Sequence, residues 1–194
     1  MVGILRRREM AKKSDADPNL VFSISNRVVT AGEGIRTNMS MLTATRAMTV
    51  LLDMTIDSNP TSGAGSAYRF VMNYDSGIQK WGLWVGKDYA SSTNLMLYWM
   101  GQSNGWGGTP VSAGRIRLAI THDAGSDTVN AYFKKENGTK MTRTATKTFT
   151  ADGNNWMRFG STSAVANGLP PGTIHSAKVY DKILPSAEID AFFA

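Results

Sequence analysis

Two aromatic residues in strand-like runs, and a tryptophan in a glycine-rich segment, are the residues best suited to contact a ligand. Trp84 and Tyr98 fall on one side of two predicted strands whose other side is formed by leucine, valine and tryptophan. Asn104 and Trp106 follow in the predicted loop Gln102–Gly108, where one indole stands among amide and backbone groups. That composition suits stacking on a sugar ring together with hydrogen bonds to its hydroxyls. We take Trp84, Tyr98, Asn104 and Trp106 as the candidate contact site for a glycan or a protein partner.

The outward side of these two strands is itself apolar, because Met96 and Met100 accompany Tyr98 there. A large apolar face of this kind marks a contact surface or is covered in the folded protein. The sequence leaves three possibilities for what covers this face: loops of the same chain, a stacked sugar, or a neighbouring subunit of a homo-oligomer. For Trp106 two interpretations stay open, a sugar platform and a lid over the core.

A basic segment stands at the N-terminal end of the sequence. Residues 1–13 hold five basic residues and one acidic residue, which is +4 of the formal net charge of +6. Residues 1–19 show no sustained apolar period, so they predict an extended or partner-ordered arm before a domain at 20–194. We expect the arm to dock on other structural proteins of an assembly through Arg6, Arg7, Arg8, Lys12 and Lys13. Nucleic acid is the weaker alternative, because no aromatic platform or basic groove follows.

Residue types exclude several kinds of catalysis. The chain has no cysteine, which rules out disulfides, thiolate metal sites and cysteine nucleophiles. Glycoside hydrolysis needs two positioned carboxylates, whereas Asp53 is the lone carboxylate on the alternating strands. The sequence contains neither a G-x-S-x-G serine motif nor a glycine-rich phosphate loop opening a helix. We therefore predict a protein that is not an enzyme and has no cofactor.

One short segment has the composition of a calcium loop. His122-Asp-Ala-Gly-Ser-Asp127 places two aspartates around a glycine turn, and carboxylate oxygens are the ligands that calcium prefers. Aspartates at the ends of a hairpin loop more often accept hydrogen bonds from backbone N–H groups of the turn. We prefer the turn interpretation and predict no metal site.

The chain alternates short apolar runs with strong turn signals. Its 194 residues, 42% hydrophobic, are enough for one domain with a single core. Met48–Ile56 predicts a long half-buried strand, and threonine at every second position of 142–150 predicts a solvent-facing stripe. Pro185 is predicted to open a short helix that caps the core. No apolar run approaches the roughly 20 residues that cross a bilayer, so no membrane contact is expected. These patterns predict an all-β fold of two packed antiparallel sheets.

Three segments resemble the concanavalin A-like, laminin G-like superfamily of jelly-roll lectin sandwiches. Arg115–Asp123 followed by Thr128–Gly138 is similar to the family's hairpin with an "A-x-T-x-D" strand and an "x-L-Y-x-x-G" strand. Trp156–Gly160 is similar to its "L-x-I-G" strand, and Gly172–Ile189 to its closing strand and helix. The order and spacing of the three segments agree with the family, and the resemblance covers roughly residues 20–194. The resemblance implies an antiparallel jelly-roll sandwich of two sheets with a short C-terminal helix.

A lectin-like domain with a basic arm and no signal-like apolar stretch near its N-terminus favours a structural or adhesion subunit of a virion. A capsid decoration, head-fibre or tail-associated protein of a bacteriophage fits, because a virion subunit leaves the cell by lysis and needs no export signal. The alternative is a secreted or cell-surface glycan-binding module. A polysaccharide-active enzyme is the weakest of the three hypotheses.

Overall fold

The computed structural model describes residues 17–40, 47–59, 69–73, 83–87, 94–99, 102–123, 125–146, 156–160 and 168–194. These ranges contain twelve strands and one helix. The strands are β1 Leu20–Val29, β2 Ile35–Ser40, β3 Met48–Ile56, β4 Arg69–Asn73, β5 Leu83–Lys87, β6 Asn94–Trp99, β7 Gln102–Pro110, β8 Gly114–Asp123, β9 Thr128–Lys135, β10 Met141–Thr146, β11 Trp156–Phe159 and β12 Gly172–Tyr180, and the helix is α1 Ser186–Phe193. The residues predicted to dock the arm, 6–8 and 12–13, lie outside the described ranges.

The strands form two antiparallel sheets of six. The first sheet has the order β1-β12-β3-β8-β9-β10, and the second has the order β2-β11-β4-β5-β6-β7. Strands adjacent in sequence pair as hairpins in β4-β5-β6-β7 and β8-β9-β10, whereas β3 lies between β12 and β8. The predicted fold class, an all-β antiparallel jelly-roll sandwich with a short C-terminal helix, is confirmed.

The main core lies between the two sheets. The first sheet contributes alternate residues of β3, and the second contributes Phe70, Leu97 and Phe159, each 0% exposed. On β3 the residues that face this core are Met48, Val50, Leu52, Met54 and Ile56, all at most 1% exposed. This alternation follows from the pleat, which sends successive side chains to opposite faces.

The prediction that β3 is only half-buried is wrong. Leu51 and Asp53, on the other face of the strand, are 6% and 7% exposed. The helix α1 lies on that face, and its Ile189 and Phe193 pack with Leu51 in a second apolar cluster. The predicted C-terminal helix is present, and it covers the outer face of the first sheet.

Close backbone packing at the end of β11 stabilises its pairing with β2. Gly160 adopts a φ of 73°, and a Cβ there would lie 2.3 Å from the carbonyl oxygen of Glu33. Nearby, the Leu169 N–H donates to the Glu33 carbonyl at 2.8 Å, and the Gly32 N–H donates to the Leu169 carbonyl at 3.0 Å. Only glycine fits this position without displacing the backbone. The contact fixes β11 beside β2 at the start of the second sheet.

The threonine stripe faces solvent where the structure describes it. Thr142, Thr144 and Thr146 are exposed, while Ala145 between them is buried. The last two threonines of the predicted stripe, at 148 and 150, lie outside the described residues. No helix in the described part of the chain has the length and hydrophobicity required to span a membrane.

Candidate functional site

A row of directly paired residues crosses the second sheet from edge to edge. Each neighbour in the row is a register partner of the next across one strand boundary. We call this the cross-strand row; its members, from β2 to β7, are Arg36, Arg158, Met72, Trp84, Tyr98 and Ser103.

The cross-strand row occupies the face of the second sheet that points away from the core. Residues one position away on three of its strands, Val71, Leu97 and Phe159, belong to the core and are at most 1% exposed. Because the pleat alternates faces, the row takes the opposite face. Two of the four residues predicted from the sequence, Trp84 and Tyr98, are therefore brought together as direct partners on this face.

Two arginines that the sequence reasoning missed stand at one end of the row. Arg36 on β2 and Arg158 on β11 are register partners, which places their Cα atoms about 4.5–5.5 Å apart. Arg36 is exposed and Arg158 is partly buried. Like charges directly opposite each other in a sheet are unfavourable unless a negative charge lies near both. An anion that reached both guanidinium groups would relieve this repulsion.

The Nε–H of Arg158 adds to this indication. It is buried and has no hydrogen-bond partner among the residues that the structure describes. A buried donor without a partner costs free energy, and a guanidinium presents five N–H groups in a fork that matches a carboxylate. One feature of the sequence marks Arg158 as unusual, because this residue interrupts the apolar run Trp156–Phe159. Its pairing with Arg36 was not visible in that signal.

Glycines flank the aromatic pair. Gly86 on β5 and Gly105 on β7 are both register partners of Met96, two residues along their strands from the cross-strand row. Glycine inside a strand often marks a site where a ligand approaches the backbone closely. The sheet surface beside Trp84 and Tyr98 is thus built with two positions that carry no side chain.

The other two predicted contact residues lie in a strand, where the sequence predicted a loop. Gln102–Pro110 forms β7 along the edge of the second sheet, so the loop prediction for this segment is wrong. Asn104 is the register partner of Leu97, a core residue, and so stands in a different row from Tyr98. Trp106 lies further along β7. Glycine-rich composition indicated a turn, whereas pairing with β6 extends the backbone.

Asp53, the lone carboxylate on the predicted strands, is committed to arginines on the first sheet. Its two oxygens accept bonds of 2.8 Å from Nε and Nη2 of Arg115, and one also lies 3.4 Å from Nε of Arg117. Burial raises the pKa of this carboxyl, but the hydrogen bond from Arg115 and the charges of Arg115, Arg117 and His175 hold the pKa below its ordinary value. A general acid for glycoside hydrolysis needs a raised pKa, so Asp53 is unsuited to that role.

The segment considered for calcium forms a hairpin turn. Oδ1 of Asp123 accepts a bond of 2.9 Å from the Gly125 N–H, and Oδ2 accepts one of 2.8 Å from Oγ of Ser126. These bonds hold the pKa of Asp123 below its ordinary value. Asp127 stands in the turn with a φ of 50°, a conformation that aspartate tolerates better than most residues. In the described part of the chain, no group of three or more histidines and carboxylates is placed to hold a metal ion.

Comparison with known proteins identifies solved structures with a similar fold. No protein-family model matches the chain, and no curated protein matches it. Among solved structures, the CBM40 module of the Ruminococcus gnavus IT-sialidase matches with a TM-score of 0.63 and 13% identity, covering 90% of this chain and 100% of that one. The same module bound to α2,3-sialyllactose gives a TM-score of 0.61 and 14% identity, covering 89% and 97% of the two chains.

A whole sialidase is matched over one part of its length. The NanB sialidase from Streptococcus pneumoniae matches with a TM-score of 0.59 and 14% identity, and the match covers 89% of this chain but 28% of that one. Both CBM40 structures, in contrast, are matched over nearly their entire length. At this level of identity the likeness concerns the fold, and the chain has the lectin-like jelly-roll sandwich of these modules.

Proposed function

We propose that this chain is a non-catalytic glycan-binding module that binds an acidic sugar on the outer face of its second sheet. The observation that carries the proposal is the cross-strand row, in which a pair of arginines and a pair of aromatic residues share one face. A carboxylate is the partner that two neighbouring guanidinium groups favour, because it forms charge-assisted and often bidentate hydrogen bonds with them.

The spacing along the row suits one small ligand. Arg158 on β11 and Trp84 on β5 are separated by β4 alone, so their backbones lie about 10 Å apart at the usual strand spacing. An acidic monosaccharide that directs its carboxylate to the arginines would extend toward Trp84 and Tyr98. Tryptophan and tyrosine are residue types that stack on sugar rings, and these two are direct register partners. Gly86 and Gly105 add no side chain of their own beside this pair.

The structural neighbours indicate which acidic sugar to test first. Two of the matching structures are the IT-sialidase CBM40 bound to α2,3-sialyllactose and to α2,6-sialyllactose. Sialyllactose has one sugar more than lactose, and that sugar carries a carboxylate. Comparing the two ligands therefore separates recognition of the acid from recognition of the neutral disaccharide.

The test is a calorimetric titration of the full chain with α2,3-sialyllactose and, separately, with lactose. We expect sialyllactose to bind weakly and to give a larger heat of binding than lactose at the same concentrations. Arg158→Ala should weaken sialyllactose binding at least tenfold, and Arg158→Lys should restore only part of it because an ammonium cannot form the bidentate contact. Arg143→Ala, a change of an exposed arginine on the first sheet, is the matched control and should leave binding unchanged.

Three results would contradict the proposal. Equal binding of lactose and sialyllactose would show that the carboxylate is not recognised. Full binding by a folded Arg158→Ala variant and by Arg36→Ala would separate the arginine pair from the ligand. A titration without heat for either sugar, repeated on an array of uronate and sialate glycans with the same outcome, would leave the row without a ligand.

The virion role predicted from the sequence stays a further proposal. It places this module on a particle surface with the basic arm as its docking segment, and it rests on Arg6, Arg7, Arg8, Lys12 and Lys13, which lie outside the described residues. A glycan-binding module is compatible with both that location and a secreted or cell-surface one.

A further inference from the structure

A concave site lies on the opposite side of the molecule, between the outer face of the first sheet and the segment leading into α1. We call it the lateral groove. Its volume is about 340 Å³, within the range of about 300–1,000 Å³ usual for small-molecule sites. The groove is lined by Thr121, Asp123, Ser126, Thr128, Asn130, Tyr132, Lys140, Ile183, Leu184, Ser186, Ile189 and Asp190.

The floor of the lateral groove is formed by Thr121, Thr128 and Asn130, and residues of β10 that do not line the groove hold the last two in place. Thr121 on β8 is the register partner of Asn130 on β9, which in turn pairs with Thr144 on β10. Oγ1 of Thr144 donates to Oδ1 of Asn130 at 2.6 Å. Two residues along these strands, the hydroxyls of Thr128 and Thr146 are hydrogen-bonded at 3.1 Å. These bonds hold the polar groups in place at the regular spacing of the sheet.

The opposite wall is apolar and rigidly attached. Ile183 is 42% exposed, although its neighbour Leu184 is buried. Oγ1 of Thr49 donates to the Lys182 carbonyl at 2.9 Å and accepts from the Leu184 N–H at 2.9 Å, which clamps this segment to β3. The groove is therefore preformed, with an apolar wall facing a polar floor.

Each charged side chain that lines the lateral groove already has an ion-pair or hydrogen-bond partner within the chain. Nζ of Lys140 pairs with Oδ1 of Asp190 and lies 5.5 Å from the centre of the Tyr132 ring. The carboxylate oxygens of Asp123 accept bonds from the turn that follows it. Because each charged group already has a partner within the chain, the groove offers a charged ligand little gain. A ligand with many hydroxyls and an apolar face complements it better.

We propose that the lateral groove is a second saccharide site, which takes one neutral sugar unit. The hydroxyls of such a sugar would exchange hydrogen bonds with the threonine and asparagine floor, while its C–H face would lie against Ile183 and the edge of Tyr132. The site lies on the other sheet from the cross-strand row and has no arginine in its lining. A module with both sites would bind an acidic and a neutral sugar on opposite faces.

The experiment is an NMR titration of the ¹⁵N-labelled full chain with galactose, glucose, mannose and N-acetylglucosamine, each separately. We expect at least one of these sugars to shift the backbone amide signals of 121–132 and 183–190 in a saturable way, with weak affinity. Asn130→Ala should weaken that binding about five- to tenfold, as expected for loss of a hydrogen-bonding group. Ser186→Tyr, which fills the groove from an exposed position, should abolish it.

Thr142→Ala is the matched control, since Thr142 is exposed on the same face but does not line the groove. It should bind the sugar as the unchanged chain does. If Asn130→Ala lowers stability, Ser186→Tyr alone still decides the question. Absence of shifts in both segments with all four sugars, or binding that survives Ser186→Tyr, would overturn the proposal. Arg158→Ala separates the two sites, because it should affect sialyllactose binding and leave these shifts unchanged.

Discussion

Asp53→Asn tests whether the one carboxylate on the predicted strands stabilises the folded protein. The substitution keeps the shape of the side chain but removes the charge that faces Arg115 and Arg117. One N–H group of the amide would also face the donors of Arg115, where the carboxylate oxygen accepted. We therefore expect the folded state to lose free energy while its architecture is retained.

The size of the effect follows from exposure and from the number of bonds. A hydrogen bond to a charged group contributes about 1.5–3 kcal/mol, and Asp53 accepts two short ones from Arg115. The Arg115 side chain is 39% exposed, so water recovers part of the loss on that side. We expect a net decrease of about 2–3 kcal/mol in the free energy of unfolding, which lowers the Tm of a domain of this size by about 4–12 °C.

The pH dependence supplies the second half of the test. The pKa of Asp53 is lower in the folded protein than in the unfolded chain, so its stabilising contribution is present above the unfolded value and is lost as pH falls through the folded value. The Tm difference between the unchanged chain and Asp53→Asn should therefore be full near neutral pH and shrink below about pH 4.

Differential scanning calorimetry from neutral to acid pH measures both quantities. Asp57→Asn is the matched control, because Asp57 is exposed just beyond the end of the same strand. A neutral-pH Tm of Asp53→Asn equal to that of the unchanged chain would refute the reasoning. So would a Tm difference that persists at low pH, since a cause other than the carboxylate charge would then be responsible.

Three further changes probe the scaffold. Thr49→Val removes both hydrogen bonds of the clamp and should lower the free energy of unfolding by about 1–3 kcal/mol in a urea titration, with unchanged stability arguing against the clamp. Gly160→Ala should cost about 2–4 kcal/mol in the same assay, because it combines a φ of 73° with a clash against the Glu33 carbonyl, and a neutral result would mean that the backbone can yield there. Deletion of residues 1–13 should leave the cooperative thermal transition nearly unchanged, and loss of that transition would show that the arm belongs to the fold.

The local part of the architecture was predictable from the sequence. Alternating apolar residues identify the core face of β3, and turn residues separate β8 from β9 and β9 from β10. The short C-terminal helix follows from Pro185 and from the spacing of Ile189 and Phe193. These features depend on neighbours within a few residues, so a periodicity is enough to find them.

Contacts between distant segments were not predictable in the same way. The outer face of β3 is buried because α1 folds back on it, and β7 is a strand because β6 offers an edge to its glycine-rich chain. The anion-suited pair on the second sheet exists only because β11 and β2 meet in one register. A single-residue slip would turn Arg158 to the core face.

The sequence by itself determined the all-β class, the core-facing residues of β3 and the absence of cysteine chemistry, because these follow from residue type and local alternation. It also selected Trp84 and Tyr98, which the fold brings together. Only the tertiary structure decided that Arg36 and Arg158 join them in one row, that Asn104 stands in another, and that Asp53 is held between arginines. Those outcomes depend on which strands pair and in which register, and pairing is settled by packing of the whole core.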